Sequence, residues 1–286
     1  MRWQGGRRST NIEDRRRMGV GRPLAVGGGA AGVVIALIVM LLGGDPSDIV
    51  SQSPSGGVGV GGSGRTVDPA QDQLKEFVSV VLADTEDTWP GLLAPHGVEY
   101  TEPRMVLFSD AVQSACGVEQ SAVGPFYCPL DQRVYLDLTF FDELESRFGA
   151  PGDFARAYVV AHEVGHQVQN LLGISERVHS MRSRMRPAEA NALAVKQELQ
   201  ADCFAGIWAH HAQKQRDVLE LGDIEEGLGA ASAVGDDTLQ RQARGRVVPE
   251  SFTHGSAAQR AAWFRRGLEE GTLQACDTFN APALGQ

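Results

Sequence analysis

His162-Glu163-Val164-Gly165-His166 is the stretch on which the chain turns. Two histidines four residues apart stack on one face of a helix. Both imidazoles can therefore address a single zinc ion. Glu163 follows the first histidine and flanks the open coordination position, where it can take a proton from water. The surroundings predict the helix that this geometry needs. Pro151-Gly152 breaks the chain, Asp153 suits the start and Gly173 suits the end. Between them Tyr158, Ala161, Val164, Val168 and Leu171/Leu172 recur at helical spacing. Gly165 weakens the helix but lets another backbone or a substrate come close.

Outward from that helix, the 286 residues divide unevenly. The net charge is -10, yet the first 22 residues carry Arg2, Arg7, Arg8, Arg15, Arg16, Arg17 and Arg22 against Glu13 and Asp14. An acidic body argues against nucleic acid as a partner. Residues 23–44 contain no charge, and the apolar run within them is long enough to span a bilayer. Arginines precede it; Asp45 and Asp48 follow. The positive-inside rule then places the N-terminus in the cytoplasm and the remainder outside the cytoplasmic membrane. The chain so reads as a basic cytoplasmic arm (1–22), a single transmembrane helix serving as an uncleaved signal anchor (23–44), a Gly/Ser-rich tether (45–71) and a folded domain (72–286). A cleaved signal peptide is the competing reading, but the arm is long and the run exceeds a typical signal core.

Cys116, Cys128, Cys203 and Cys276 form no CxxC pair, which speaks against a cysteine zinc site. In an exported domain an even count predicts disulfides. Cys116 with Cys128 closes a short loop, leaving Cys203 with Cys276.

Within the domain, Leu74, Phe77, Val78, Val81 and Leu82 predict an amphipathic helix running toward Trp89-Pro90. Residues 104–108 and 133–138 read as strands. The second stands just before the HExxH helix, where in many zinc proteases an edge strand aligns the peptide substrate; an ordinary sheet strand fits the sequence equally. Phe140, Phe141, Leu144 and Phe148 suggest a short helix, and an Ala-rich helix follows from Pro187 to about 213. Further helices are expected over 218–228 and 256–270, with a polar loop over 236–250 between them. The class is α+β, with the active-site helix against a small mixed sheet.

A catalytic zinc needs a third protein ligand. The extended pattern HExxHxxGxxH fails, because Gln169 replaces its glycine and Leu172 its last histidine. Glu198 and Asp202 lie on a later helix and share a face. Glu198 can reach the metal while Asp202 bonds a ligand imidazole from behind. Ala201, Ala205, Gly206 and Ala209 keep that helix slim for close packing. Glu189 is the rival ligand, but it sits near a helix start where a carboxylate already has an electrostatic reason to be. Taken alone, the pair reads better as an ordinary solvated one; its place downstream of HExxH, among small residues, is what points to the metal.

Several stretches together resemble the neutral zinc metallopeptidase family, the YpfJ-like bacterial membrane proteins. They are Arg2-Trp3-Gln4-Gly5 through 11–16, 124–129, 134–137, the HExxH helix, Glu198-Leu199-Gln200-Ala201-Asp202-Cys203 through Gly206, and Phe252-Thr253-His254-Gly255-Ser256 with Gln259-Arg260. The resemblance implies a membrane-anchored zincin-like metallopeptidase of gluzincin type, and it supplies no substrate. A weaker likeness joins Thr253-His254 and Arg260 to membrane gluzincins related to the CAAX-processing protease. There His254 would donate a hydrogen bond to the oxyanion of the reacting carbonyl; a structural or surface histidine is the alternative. His96, His179, His210 and His211 read as surface or packing residues.

The expected activity is that of a zinc metalloendopeptidase acting on a peptide or protein. His162, His166 and Glu198 hold Zn2+, and Glu163 is the general base. A non-catalytic zinc-binding scaffold tethered to the membrane, and an amidase acting on cell-wall peptides, are the competing classes.

Overall fold

The computed structural model describes residues 1–18, 69–281 and 284–285. The run at 23–44 and most of the tether lie outside them. No helix among the described residues is long and apolar enough to cross a membrane.

The elements, in chain order, begin with β1 (Ile12–Asp14), α1 (Pro69–Leu93), β2 (Arg104–Phe108), β3 (Ala111–Ser114) and β4 (Gly117–Gln120). Next come β5 (Phe126–Cys128), β6 (Arg133–Asp137), α2 (Phe140–Ser146) and α3 (Asp153–Leu171), the helix of the HExxH motif. The helices α4 (Ile174–Arg182), α5 (Pro187–Arg216), α6 (Asp223–Ala233), α7 (Asp236–Arg244) and α8 (Ala257–Glu270) complete the fold. This is a mixed α+β architecture with a small sheet and eight helices among the described residues.

The sheet runs in the order β1-β2-β6-β5. β1, β2 and β6 are parallel, and β5 returns antiparallel beside β6. The strand expected to align a substrate is β6, and it is bonded on both sides, so it has no free edge. The free edge on that side of the sheet belongs to β5. β3 and β4 form a separate hairpin.

The N-terminal residues also differ from expectation. Residues 1–18 do not stand apart as an arm. β1 is a strand of the sheet, with Ile12 opposite Met105. Trp3 packs edge-on against Phe77 and donates its indole N–H to Asp153, the first residue of α3. A sequence rich in arginine suggested a membrane flank; here Arg7 and Arg16 are spent on Glu86, Asp87, Asp14 and Asp72.

The core is built where α3, α5 and α8 meet the sheet and α1. Trp208, Phe154, Phe204 and Phe264 are buried there with Trp89 and Leu136. Glycines let the helices approach. A Cβ on Gly206 would stand 2.1 Å from the carbonyl oxygen of Phe264. Gly206 therefore serves the α5–α8 contact, not the α3–α5 contact for which it was expected. Both disulfides, Cys116–Cys128 and Cys203–Cys276, are formed. The second ties the short turn Leu273–Cys276, which follows α8, to α5. Residues 236–244, expected as loop, are helical. Their polar sequence hides a short helix that begins after Gly235 and stops at Gly245, which lies in the left-handed region.

Candidate metal centre

α3 starts at Asp153 behind Gly152, and Gly173 follows its end with φ of 68°. Gly165 lies at its crossing with α5, where an added Cβ would stand 3.1 Å from the Ala201 carbonyl oxygen and 3.3 Å from the Phe204 Cβ. That close approach brings Glu198 to the two histidines. Glu198 Oε2 lies 3.3 Å from His162 Nε2 and 3.6 Å from His166 Nε2. One ligand atom from each of the three residues lies within 4.8 Å of the others. Glu189 is elsewhere, in an exposed capping box with Arg186 at the start of α5.

Each imidazole uses its other nitrogen to bind protein. His162 Nδ1 is 2.8 Å from Asp202 Oδ1. His166 Nδ1 is 2.9 Å from the Gln169 side-chain oxygen. Asp202 is fully buried, and Arg260 clamps it with two N–H bonds of 2.9 Å, from Nε and from Nη2. Tyr158 also donates to Asp202, and Arg260 directs two further N–H groups to the Val234 carbonyl and the Tyr158 hydroxyl. Carboxylate, phenol and guanidinium thus form one buried network behind His162.

The electrostatics follow from these pairs. Burial works to lower the pKa of His162, but Asp202 and Glu198 outweigh it and push the imidazole up to about 10. Burial works to raise Asp202, and Arg260 with His162 holds it down at about 2. Glu198 is likewise held well below the usual carboxylate range by the two histidines against the effect of burial. Glu163 is 8% exposed, and burial pushes its carboxyl up. A dication between the three ligands would replace the imidazole protons and reverse that push on Glu163. Two Nε2 atoms and one carboxylate oxygen converge, and both Nδ1 atoms are already committed. This is a donor set that suits zinc and leaves one coordination position open.

The three residues and Glu163 line a cavity of about 690 Å³. β5 forms part of its wall through Phe126 and Tyr127, and Tyr127 donates to Gln167 of α3. His254 enters the same cavity from the loop before α8, with its side chain about half exposed. That loop is organised by Asp236, whose Oδ2 accepts the backbone N–H groups of Thr253, His254 and Gly255 at 2.8, 2.7 and 3.0 Å. His254 Nδ1 lies 3.1 Å from Thr253 Oγ1 and 3.4 Å from Asp236 Oδ1, and Nε2 has no hydrogen-bond partner among the described residues. Among the other histidines, His210 and His211 bond the carbonyls of Leu268 and Gly271 as packing residues. His179 is exposed at the cavity wall.

Sequence reasoning missed Asp236, Tyr158 and Gln169 as parts of this site and gave Arg260 no role. Gln169 carried one signal, since it is a polar residue three places after a ligand on the buried face of α3. Asp236 carried none, because its partners lie across a helix and a loop.

Residues 1–279 match the model of the family described as "Putative neutral zinc metallopeptidase". The chain belongs to that family. It is 46% identical to the uncharacterized protein YpfJ of Escherichia coli K12, across 98% of this chain and 99% of that protein. It is 42% identical to the uncharacterized protein Rv2575 of Mycobacterium tuberculosis H37Rv, across 86% of each. No solved structure matches. The family is one of zinc peptidases, and His162, His166 and Glu198 are the residues here that can bind the metal.

Proposed function

We propose that the protein is a membrane-associated zinc endopeptidase. The observation that carries this reading is Glu163, a buried carboxylate beside the ligand cluster, facing an open cavity and bound to neither histidine. A purely structural zinc site has no use for it. Zinc bound by His162, His166 and Glu198 supplies Lewis acidity toward a carbonyl and makes water acidic near neutral pH. Glu163 takes the proton of the attacking water and returns it to the leaving amine. His254 Nε2 donates to the oxyanion, with Thr253 and Asp236 holding the ring from behind. The edge of β5, rather than β6, offers main-chain groups to an extended peptide.

The apolar run at 23–44 supports a location at the cytoplasmic membrane, and the two disulfides support an exported domain. The test is cleavage of an unbiased peptide library by the full chain in detergent. Chelator-sensitive cleavage is expected. Chelator-sensitive release of cell-wall peptides, without cleavage in the library, would favour the amidase; a folded, zinc-loaded protein that cleaves neither would favour the scaffold.

A further inference from the structure

We propose that Gln169 and Gln200 form a relay that fixes His166 for the metal. This rests on His166 being a zinc ligand. Gln169 is fully buried and Gln200 is 5% exposed. The Gln169 amide nitrogen donates to the Gln197 backbone carbonyl at 2.7 Å and to the Gln200 side-chain oxygen at 3.1 Å. The Gln200 amide nitrogen in turn donates to the Cys276 backbone carbonyl at 2.9 Å. A backbone carbonyl can only accept. The carbonyls of Gln197 and Cys276 therefore set which way both amides point. The oxygen of Gln169 must face His166, so Nδ1 of that ring must carry the hydrogen and Nε2 the lone pair, on the side of Glu198. The far end of the relay stands at Cys276, which the bond to Cys203 ties back to α5. His162 is oriented by an anion and His166 by a neutral amide anchored in the main chain.

Gln169 is a positioning residue. Its test compares the full chain with Gln169→Met, which keeps the volume and loses the acceptor. Zinc affinity is read by competition with a fluorescent chelator, and the His166 ring by nitrogen-15 NMR of the zinc-loaded protein. The expected result is affinity lower by about 10- to 100-fold, with loss of the protected Nδ1–H signal of His166. Gln200→Met, one step removed, should give a smaller loss and keeps the test open if the first variant does not fold. Unchanged affinity and an unchanged His166 signal in a folded variant would overturn the relay. A parent protein that binds no zinc would instead overturn the metal site itself.

A separate set of contacts carries a second inference. Glu86 of α1 has its side chain 2% exposed, and its carboxylate is met by Arg7, Ser9 and Asn11. Arg16, equally buried at its side chain, pairs with Asp14 and Asp72. β1 adds main-chain bonds to β2, and Trp3 reaches the first residue of the HExxH helix. Without residues 1–18 Glu86 would lose Arg7, Ser9 and Asn11, and β2 would have an open edge. Residues up to Met18 and residues from Pro69 onward both belong to this fold. One crossing of a bilayer between those points would put Glu86 and its partners on opposite sides. We infer that residues 1–18 and the peptidase domain share one side of the membrane. All four cysteines are in disulfides, so single new thiols report cleanly. Thr10→Cys and Glu269→Cys, both at exposed positions, are each labelled in intact cells with an impermeant maleimide. Detergent-opened cells show that both thiols react. Labelling of both, or protection of both, is expected; labelling of only one would overturn the inference.

Discussion

Replacing Arg260 with Met tests how the site is held together. Arg260 is 4% exposed and makes two bonds of 2.9 Å to Asp202, which is itself fully buried. Methionine fills much of the space but leaves Asp202 with only the Tyr158 hydroxyl and a His162 N–H. Removing one partner of a buried ion pair costs about 3–5 kcal/mol, because the other charge stays buried with that much less compensation. At about 2–4 °C per kcal/mol for a domain of this size, the melting point should fall by roughly 6–20 °C. The pH dependence is specific to this cause. In the parent, Asp202 titrates near 2, below its unfolded value. It therefore contributes stability above that unfolded value, and the contribution is lost as the pH falls toward 2. In the variant, burial is no longer opposed by the guanidinium and the folded pKa rises above the unfolded one. Asp202 then destabilises the variant increasingly as the pH rises. The gap between parent and variant, measured by thermal unfolding of chelator-treated protein between pH 4 and 7, should be wide at pH 7 and narrow at pH 4. A gap of the same size at both would refute the buried pair as the cause.

Other outcomes follow from the same structure. Glu198→Gln should lose zinc and activity together, since it weakens a ligand; metal analysis of the purified variant checks this. Zinc uptake should release protons and strengthen with rising pH up to about 10, because His162 holds its proton below that pH in the metal-free protein; calorimetry in buffers of different ionisation enthalpy measures the release. Gly206→Ala should destabilise by about 1–3 kcal/mol or more, because its Cβ would press into the Phe264 carbonyl and part α5 from α8; urea unfolding reports it.

The ligands were legible because their signals are local. His162 with His166, and Glu198 with Asp202, are pairs at one helical turn, and periodicity alone puts each pair on one face. The cysteine pairing was legible from a single short loop and the remainder it left. What sequence did not reveal is long-range. β6 looks like an edge strand until β2 is placed beside it, and β2 in turn is flanked by β1 from the first residues of the chain. Arg7 and Arg16 read as membrane-flanking charges because their partners, Glu86 and Asp72, lie far along the sequence. Gln169 was noticed only as a residue that breaks the longer zinc motif. Its use depends on the carbonyls of Gln197 and Cys276, which no local pattern brings near.

The central claim is that Glu163 performs chemistry and does not hold the metal. It is turned about 100° around α3 from His162, so the ligand set does not need it. Glu163→Gln keeps the shape and removes the base. Zinc content and peptide cleavage, measured side by side on parent and variant, test this most directly. Full zinc occupancy with cleavage lowered at least about a hundredfold is the result the structure predicts. Cleavage at the parent's rate by a zinc-loaded Glu163→Gln protein would contradict it.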